Sequence, residues 1–173
     1  MELLDDIHAH HILKHDLSHD MAYQQAPIDY VALQEWHINQ VHDLLRTSFW
    51  PGIDVSTALE YHPEKYTVVA MYRRVVVGVA LISPPPDEAY VTYITVKEGW
   101  KNAGIAKTML YLLIRSSPDR DIMLHVSADN PAMILYNKFG FKAEEFVVGF
   151  YEDYIDPKSK ACRNALRLRL RQQ

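Results

Sequence analysis

The chain has 173 residues, 49% of them hydrophobic and 23% charged, with six Gly and nine Pro; this suits one domain with a real core and excludes a wholly disordered, collagen-like or coiled-coil chain. A formal net charge of -4 removes the source of a chain-wide grip on phosphate backbones, so no direct nucleic-acid partner is expected. Cys162 is alone and forms no internal disulfide, no secretory-type apolar run opens the sequence, and the longest apolar stretch, 75–82, falls far short of the roughly 20 residues a membrane helix requires. An intracellular protein with no membrane partner is expected.

Residues 1–25 are polar and His-rich and carry no apolar stripe that demands burial, so they read as an arm preceding a domain over 26–173. His11, His15 and His19 would share a face of a helix and could take a divalent metal. No Cys is near and Asp16 and Asp20 sit off that face, so a solvated segment is the expectation and no metal is assigned. Residues 28–33 then read as a strand, and 33–49 as a helix on the spacing of Leu33, Ile38, Val41, Leu44 and Leu45. Pro51-Gly52 breaks it, and Ser56 is positioned to cap a short helix over 56–61.

Residues 66–72 and 75–83, rich in β-branched side chains and joined at Arg73-Arg74, predict an antiparallel hairpin, ended by Pro84, Pro85 and Pro86. The next strand, 89–97, alternates with Tyr90, Thr92, Ile94 and Val96 on one face and Val91, Tyr93 and Thr95 on the other. A glycine turn and a helix to Ile114 follow, and 121–127 returns as a strand with Ile122, Leu124 and Val126 opposite Met123, His125 and Ser127, completing a βαβ unit. Asn130-Pro131 predicts the start of a helix that Gly140 stops. Strands over 146–151 and 166–170 close the chain, with Arg167, Arg169 and Arg171 as a solvated stripe.

The turn at Gly99 to Ala106 is the first feature with chemistry in it. A strand feeding a glycine turn and then a helix gathers unpaired amides and the positive end of the helix dipole at one point. Lys101 adds charge, and Ala103, Gly104 and Ala106 let the backbone approach a bulky diphosphate. A P-loop is excluded because Ile105 stands where its lysine is needed, with Lys107-Thr108 two residues late. A dinucleotide fingerprint lacks its three glycines. An ordinary turn between strand and helix remains open on this segment alone.

Lys101-Asn102-Ala103-Gly104-Ile105-Ala106 resembles the R/Q-x-x-G-x-G/A loop of the GNAT superfamily of N-acetyltransferases, with Lys for Arg or Gln and Ala for the second Gly. Asn130-Pro131-Ala132-Met133 and Tyr136-Asn137-Lys138-Phe139-Gly140-Phe141 resemble that family's later N-x-x-A…Y-x-x-x-G-F helix, and the likeness extends over about 27–171. It implies an α/β (α+β) GNAT fold, a mixed, mostly antiparallel sheet of about seven strands flanked by helices, with acetyl-CoA as cofactor. Cofactor contacts are implied at Ile94, Thr95, Val96, Lys101, Asn102, Ala103, Gly104, Ile105, Ala106, Lys107, Thr108, Asn130, Ala132 and Tyr136, with the Ile94 amide cradling the oxyanion and Val96 pairing pantetheine.

Acetyl transfer to an amine needs an uncharged nitrogen, a cradle for the developing oxyanion and a proton for the leaving thiolate. By its residues alone, His125 reads as a strand histidine that is more often structural. The likeness to protein N-terminal acetyltransferases of the Tyr/His type implies instead that Tyr90 and His125 relay the amine proton, with Glu88 in reserve. It also implies that Tyr136 protonates the sulfur. Trp50, Pro51, Gly52, Ile53 and Asp54, with Phe150 and Tyr151, are implied to wall the acceptor groove.

The acceptor is then a protein or peptide amine. Likeness to GNAT domains of histone acetyltransferase complexes places a histone-tail lysine ahead of a protein N-terminus, with subunits of a chromatin complex as partners and the nucleus, or else the cytoplasm, as location. Direct attack is expected, since Cys162 lies outside every motif. Two rivals stand beside this: a coenzyme-bound scaffold subunit without turnover, and a small-molecule amine acetyltransferase with an acidic pocket near Asp87, Glu88, Glu152 and Asp153.

Overall fold

Burial of the apolar strand residues organises everything else. The computed structural model describes residues 27–86 and 88–172; the expected arm, with His11, His15 and His19, lies outside them. In chain order come β1 (Ile28–Val31), a 3-10 turn (Glu35–His37), α1 (Ile38–Ser48), a 3-10 turn (Ser56–Leu59), α2 (Pro63–Tyr66), β2 (Thr67–Tyr72) and β3 (Val75–Ile82). They are followed by β4 (Ala89–Val96), α3 (Ile105–Ser116), β5 (Ile122–Ser127), α4 (Met133–Lys138), β6 (Lys142–Val147) and β7 (Ala165–Leu170). The strands form one seven-stranded sheet in the order β1-β2-β3-β4-β5-β7-β6, antiparallel except where β4 meets β5. The α/β fold class read from the sequence is the one observed.

Each face of the sheet carries its own core. On one face Met109, Leu110 and Leu113 of α3 pack with Ile122, Leu124, Phe141 and Leu168; on the other Val41 and Leu45 of α1 pack with Leu33, Val69, Val79 and Leu81. At Gly78, α3 packs closely on β3: a Cβ there would stand 3.0 Å from Met109 Cε and 3.2 Å from Ile105 Cγ2, so those side chains would have to give by a few tenths of an ångström to admit one. Among the described residues no helix is long and apolar enough to cross a membrane, and no group of three or more metal-ligating side chains is assembled.

Five local expectations are corrected. The helix read over 33–49 begins at Ile38, because Gln34 is extended and its N–H donates to Nδ1 of the fully buried His37. The turn at 56–59 is held by Asp54, whose Oδ1 accepts the Ser56 N–H at 2.9 Å, and no side chain caps it at its N-terminus. The helix read over 130–139 is shorter, Met133–Lys138, with Asn130 Oδ1 accepting the Ala132 N–H in the turn before it.

The strand expected over 146–151 is instead β6, Lys142–Val147. Its Glu144 and Glu145 look like loop residues in sequence, yet Arg169 and Arg167 of β7 receive them at 3.0 and 3.2 Å, so a polar strand becomes stable at this edge. Finally, Leu81 pairs with Tyr93 but Ile82 with Val91, leaving Thr92 as an extra residue in β4. This bulge inverts the alternation: Ala89 and Val91 lie with Ile94 and Val96 in the α3 core, while Tyr93 packs on the α1 side. Tyr90 therefore does not share a face with Ile94 and Val96.

Candidate active site

The site begins where β4 and β5 part. They pair only at Ala89 with Ile122 and Tyr90 with Met123, so β4 runs on with one edge free. Lys97 N–H donates to Val77 O at 2.8 Å, which fixes the antiparallel alternation with β3 so that Tyr93 and Thr95 bond to β3. The amides of Ile94 and Val96 then point into the gap.

Below that gap lies a groove of about 1400 Å³, lined by β4, the entry to α3, the C-terminal half of α1 and the segment 130–139. Gly104 caps α3 in the left-handed conformation, φ 79°, and a Cβ built there meets nothing within 4 Å, so the backbone conformation demands glycine and leaves the groove open. No side chain caps α3 and no acid stands in its first turn. The first-turn amides of Ile105, Ala106 and Lys107 are thus left for an anion. Four lysines, Lys97, Lys101, Lys107 and Lys138, line this groove against Asp43 and Glu98, in a chain of net negative charge. Lys101 Nζ is held by Glu98 at 2.7 Å in an exposed pair.

Of the residues expected to contact the cofactor, Ile94, Val96, Lys101, Asn102, Gly104, Ile105, Ala106, Lys107, Asn130, Ala132 and Tyr136 line the groove. Ala103 and Thr108 are not among its lining residues: Ala103 is exposed and the Thr108 hydroxyl turns back to Gly104 O at 3.1 Å. Thr95 lines it, but its hydroxyl donates to Ser48 Oγ at 2.9 Å, tying β4 to the end of α1. Tyr136 reaches the groove from α4, 5% exposed and edge-on to Phe141. Burial first and the nearby Tyr151 second push its phenol far above the ordinary range, so it stays protonated.

The other side of the gap is built from side chains. The Tyr90 hydroxyl lies 2.9 Å from His125 Nδ1, linking the two central strands, and Phe150 stacks on the imidazole at 4.1 Å. Burial, then the Arg167 charge, lowers the His125 pKa, with Glu145 opposing. Tyr90 is raised by burial, so a protonated phenol beside a neutral imidazole is the state at neutral pH. Tyr151 is pushed up to about 12, by burial and then by Tyr90. It is thus raised by Tyr90 and in turn raises Tyr136, across the gap.

Glu88, the reserve base, is exposed where β4 begins, and its backbone carbonyl accepts the Ser83 hydroxyl. Trp50 closes on Tyr154 with ring centres 4.5 Å apart and stands 6.2 Å from Tyr93, which Phe49 approaches at 5.3 Å. Pro51 and Gly52 are exposed at the loop tip. Ile53 and Asp54, read as groove walls, serve as anchors: Ile53 is buried in the α1 core, and Asp54 lies 3.3 Å from His42, whose Nε2 accepts the Val55 N–H. Tyr93 and Tyr154, not singled out in the sequence, join Phe49 and Trp50 in this aromatic cluster; the density of Phe150, Tyr151 and Tyr154 in one short segment was the available signal.

A parted β4/β5 pair, an uncapped helix entry beneath it and a hydrogen-bonded Tyr/His pair above define an acyltransferase architecture. Residues 29–141 match the Acetyltransferase (GNAT) family, more than half of the chain, and the chain belongs to that family. It is 41% identical over 173 residues to Cysteine-rich protein 2-binding protein of Mus musculus and 40% identical to that of Homo sapiens. The matched region is 99% of this chain but spans only 22% of either relative's length.

Among solved structures it is similar to Arabidopsis thaliana Naa50 in complex with the bisubstrate analogue CoA-Ac-MVNAL, with a TM-score of 0.69 at 19% identity, covering 83% of this chain and 98% of that one. The ribosomal-protein-S18-alanine N-acetyltransferase of Escherichia coli follows, with a TM-score of 0.66 at 19% identity, covering 83% and 93%. At that identity the likeness is one of fold.

Proposed function

We propose that this chain is an acetyl-CoA-dependent protein N-acetyltransferase whose first acceptor is a lysine side chain, with histone tails as the candidate substrate. The observation that carries the reading is the Tyr90–His125 pair at 2.9 Å, set above the β4/β5 gap and flanked by aromatic rings from two loops. Acetyl-CoA supplies an acetyl group activated as a thioester. The groove residues suit its charge: the free amides of Ile105, Ala106 and Lys107, with the Lys101 and Lys107 ammonium groups, would take the diphosphate. The Val96 amide would pair the pantetheine arm and the Ile94 amide would polarise the acetyl carbonyl.

Phe49, Trp50, Tyr93 and Tyr154 give the acceptor an aromatic passage, which favours the four-methylene stem of a lysine with a nitrogen at its end. Tyr90 takes the amine proton as its own passes to His125 Nδ1, directly or through one water. Tyr136, kept protonated by burial, supplies the proton for the departing thiolate. Direct attack of the amine on the thioester follows from this assignment, since Tyr90, His125 and Tyr136 carry out the proton transfers without a thiol nucleophile. One observation favours a second reading, the α-amine of a protein: its ordinary pKa of about 7.7 to 8.0 lies far nearer a weak histidine base than lysine's, about 10.4.

The polypeptides similar to this chain are much longer than it. Membership of a histone acetyltransferase complex, with other chromatin subunits as partners and a nuclear location, is proposed on the resemblance alone. The test is one panel: purified chain, acetyl-CoA, histone-tail peptides, peptides with only a free α-amine, and polyamines, with thiol release and product mass both recorded. Acetyl-lysine in the histone peptides is the expected product. An α-amine product alone would establish the second reading. Acetyl-CoA binding without release on any amine would overturn both and leave a scaffold, and release on polyamines alone would make the acceptor a small molecule.

A further inference from the structure

The arginine stripe read from the sequence as a solvated strand face is not uniform. Arg167 is the direct cross-strand partner of His125 in the antiparallel β5/β7 ladder, so the two side chains project from the same face of the sheet. Its Nη1 is held by Glu145 at 3.2 Å and its Nη2 lies 3.7 Å from Glu144. Glu144 is committed elsewhere, with both its oxygens 3.0 Å from Arg169 Nε. Arg167 Nε is buried and has no hydrogen-bond partner among the described residues. A guanidinium whose charge is offset by the exposed Glu145 and, at longer range, by a Glu144 shared with Arg169 therefore stands beside the imidazole.

We propose that Arg167 is a positioning residue for the acetyl transfer: from β7 it sets a fixed positive charge next to His125, presenting an uncharged imidazole to the Tyr90 hydroxyl, and Glu145 moderates that charge. The proposal rests on the reading of His125 as the proton acceptor. Its electrostatics follow from every element packed around the ring. Tyr90 from β4 is an uncharged phenol at 2.9 Å, Tyr151 lies beyond it, and Phe150 covers one ring face. The charged groups are Arg167 from β7 and Glu145 and Glu144 from β6. A second positive charge on His125 would be repelled by Arg167, and at short range through partly buried protein that repulsion is not screened away.

The test uses the full chain with Arg167→Met, Arg167→Lys and Glu145→Gln, reading the acid limb of kcat/KM against pH and, separately, the titration of the His125 imidazole by NMR. His125 is the signal that disappears in His125→Ala. Arg167→Met should move both the limb and the titration to higher pH, costing several-fold in rate near pH 6 and little in the plateau. Arg167→Lys should restore the wild-type position, and Glu145→Gln should move both to lower pH. A role confined to strand packing would lower the rate at every pH and leave the titration where it was. An unmoved His125 titration in Arg167→Met, or shifts of the same sign in Arg167→Met and Glu145→Gln, would overturn the proposal. If the titration moves as expected while the rate profile does not, the electrostatic assignment stands and the role of His125 in transfer fails.

Discussion

The two sides of the β4/β5 gap are built from different materials. The cofactor side is backbone: the free amides of Ile94 and Val96, a left-handed Gly104 and an uncapped helix start. The side proposed for the acceptor is side chains drawn from distant stretches of sequence, with Trp50 meeting Tyr154 and Phe150 stacking on His125. A backbone site tolerates changes of residue type as long as the conformation survives. A side-chain site is only as good as the loops that hold it. Substitutions on the first side should therefore act through conformation and affinity, and those on the second through individual contacts.

Tyr136 lies between the two sides and should give the largest effect. Tyr136→Phe keeps the ring against Phe141 but removes the only proton the phenol can give. Turnover should fall by about 10²-fold or more while acetyl-CoA affinity by calorimetry changes little. Equal losses in both would make Tyr136 a packing residue.

The backbone side is broken most directly by Gly104→Val. The left-handed φ of 79° costs a β-branched residue roughly 1–2 kcal/mol. Either the chain end of α3 shifts or the strain is kept, and calorimetry should show acetyl-CoA binding weakened by about tenfold, with a thermal melt verifying that the fold persists. Undiminished affinity would move the diphosphate away from this turn.

On the acceptor side, Trp50→Ala removes the ring that closes on Tyr154. An aromatic pair contributes about 0.5–1.5 kcal/mol beyond its buried area, so the acceptor KM should rise by about 2- to 10-fold with acetyl-CoA affinity intact. A loss of cofactor affinity instead would show that the two sides are not separable.

The smallest change is expected at Glu98. Its exposed pairing with Lys101 competes with any anion in the groove, and exposed pairs are weak and screened by salt. Glu98→Gln should tighten acetyl-CoA by less than about threefold at low ionic strength, and the gain should vanish at high salt.

The cofactor side was legible in the sequence because strand, glycine turn and helix are local, and a left-handed position can be read from a glycine. That legibility ended at single residues. Ala103 and Thr108 belong to the motif's span, yet the Thr108 hydroxyl returns to its own helix. The acceptor side was legible only in part. Ile53 and Asp54 looked like wall residues beside Trp50, but burial of one and the contact of the other with His42 make them anchors of the loop. The Thr92 bulge was invisible, since alternation along a strand carries no sign of the partner strand's count.

The sequence by itself determined the strand and helix order, the anion-accepting turn before α3 and membership of a family, because these rest on local periodicity and on residues whose backbone preferences are strong. Only the tertiary structure decided which side chains meet. The Thr92 bulge turned Tyr90 to the α1 side of the sheet, and the β5/β7 register put Arg167 beside His125. Register is fixed by long-range pairing, and a shift of one residue sends every side chain beyond it to the opposite face.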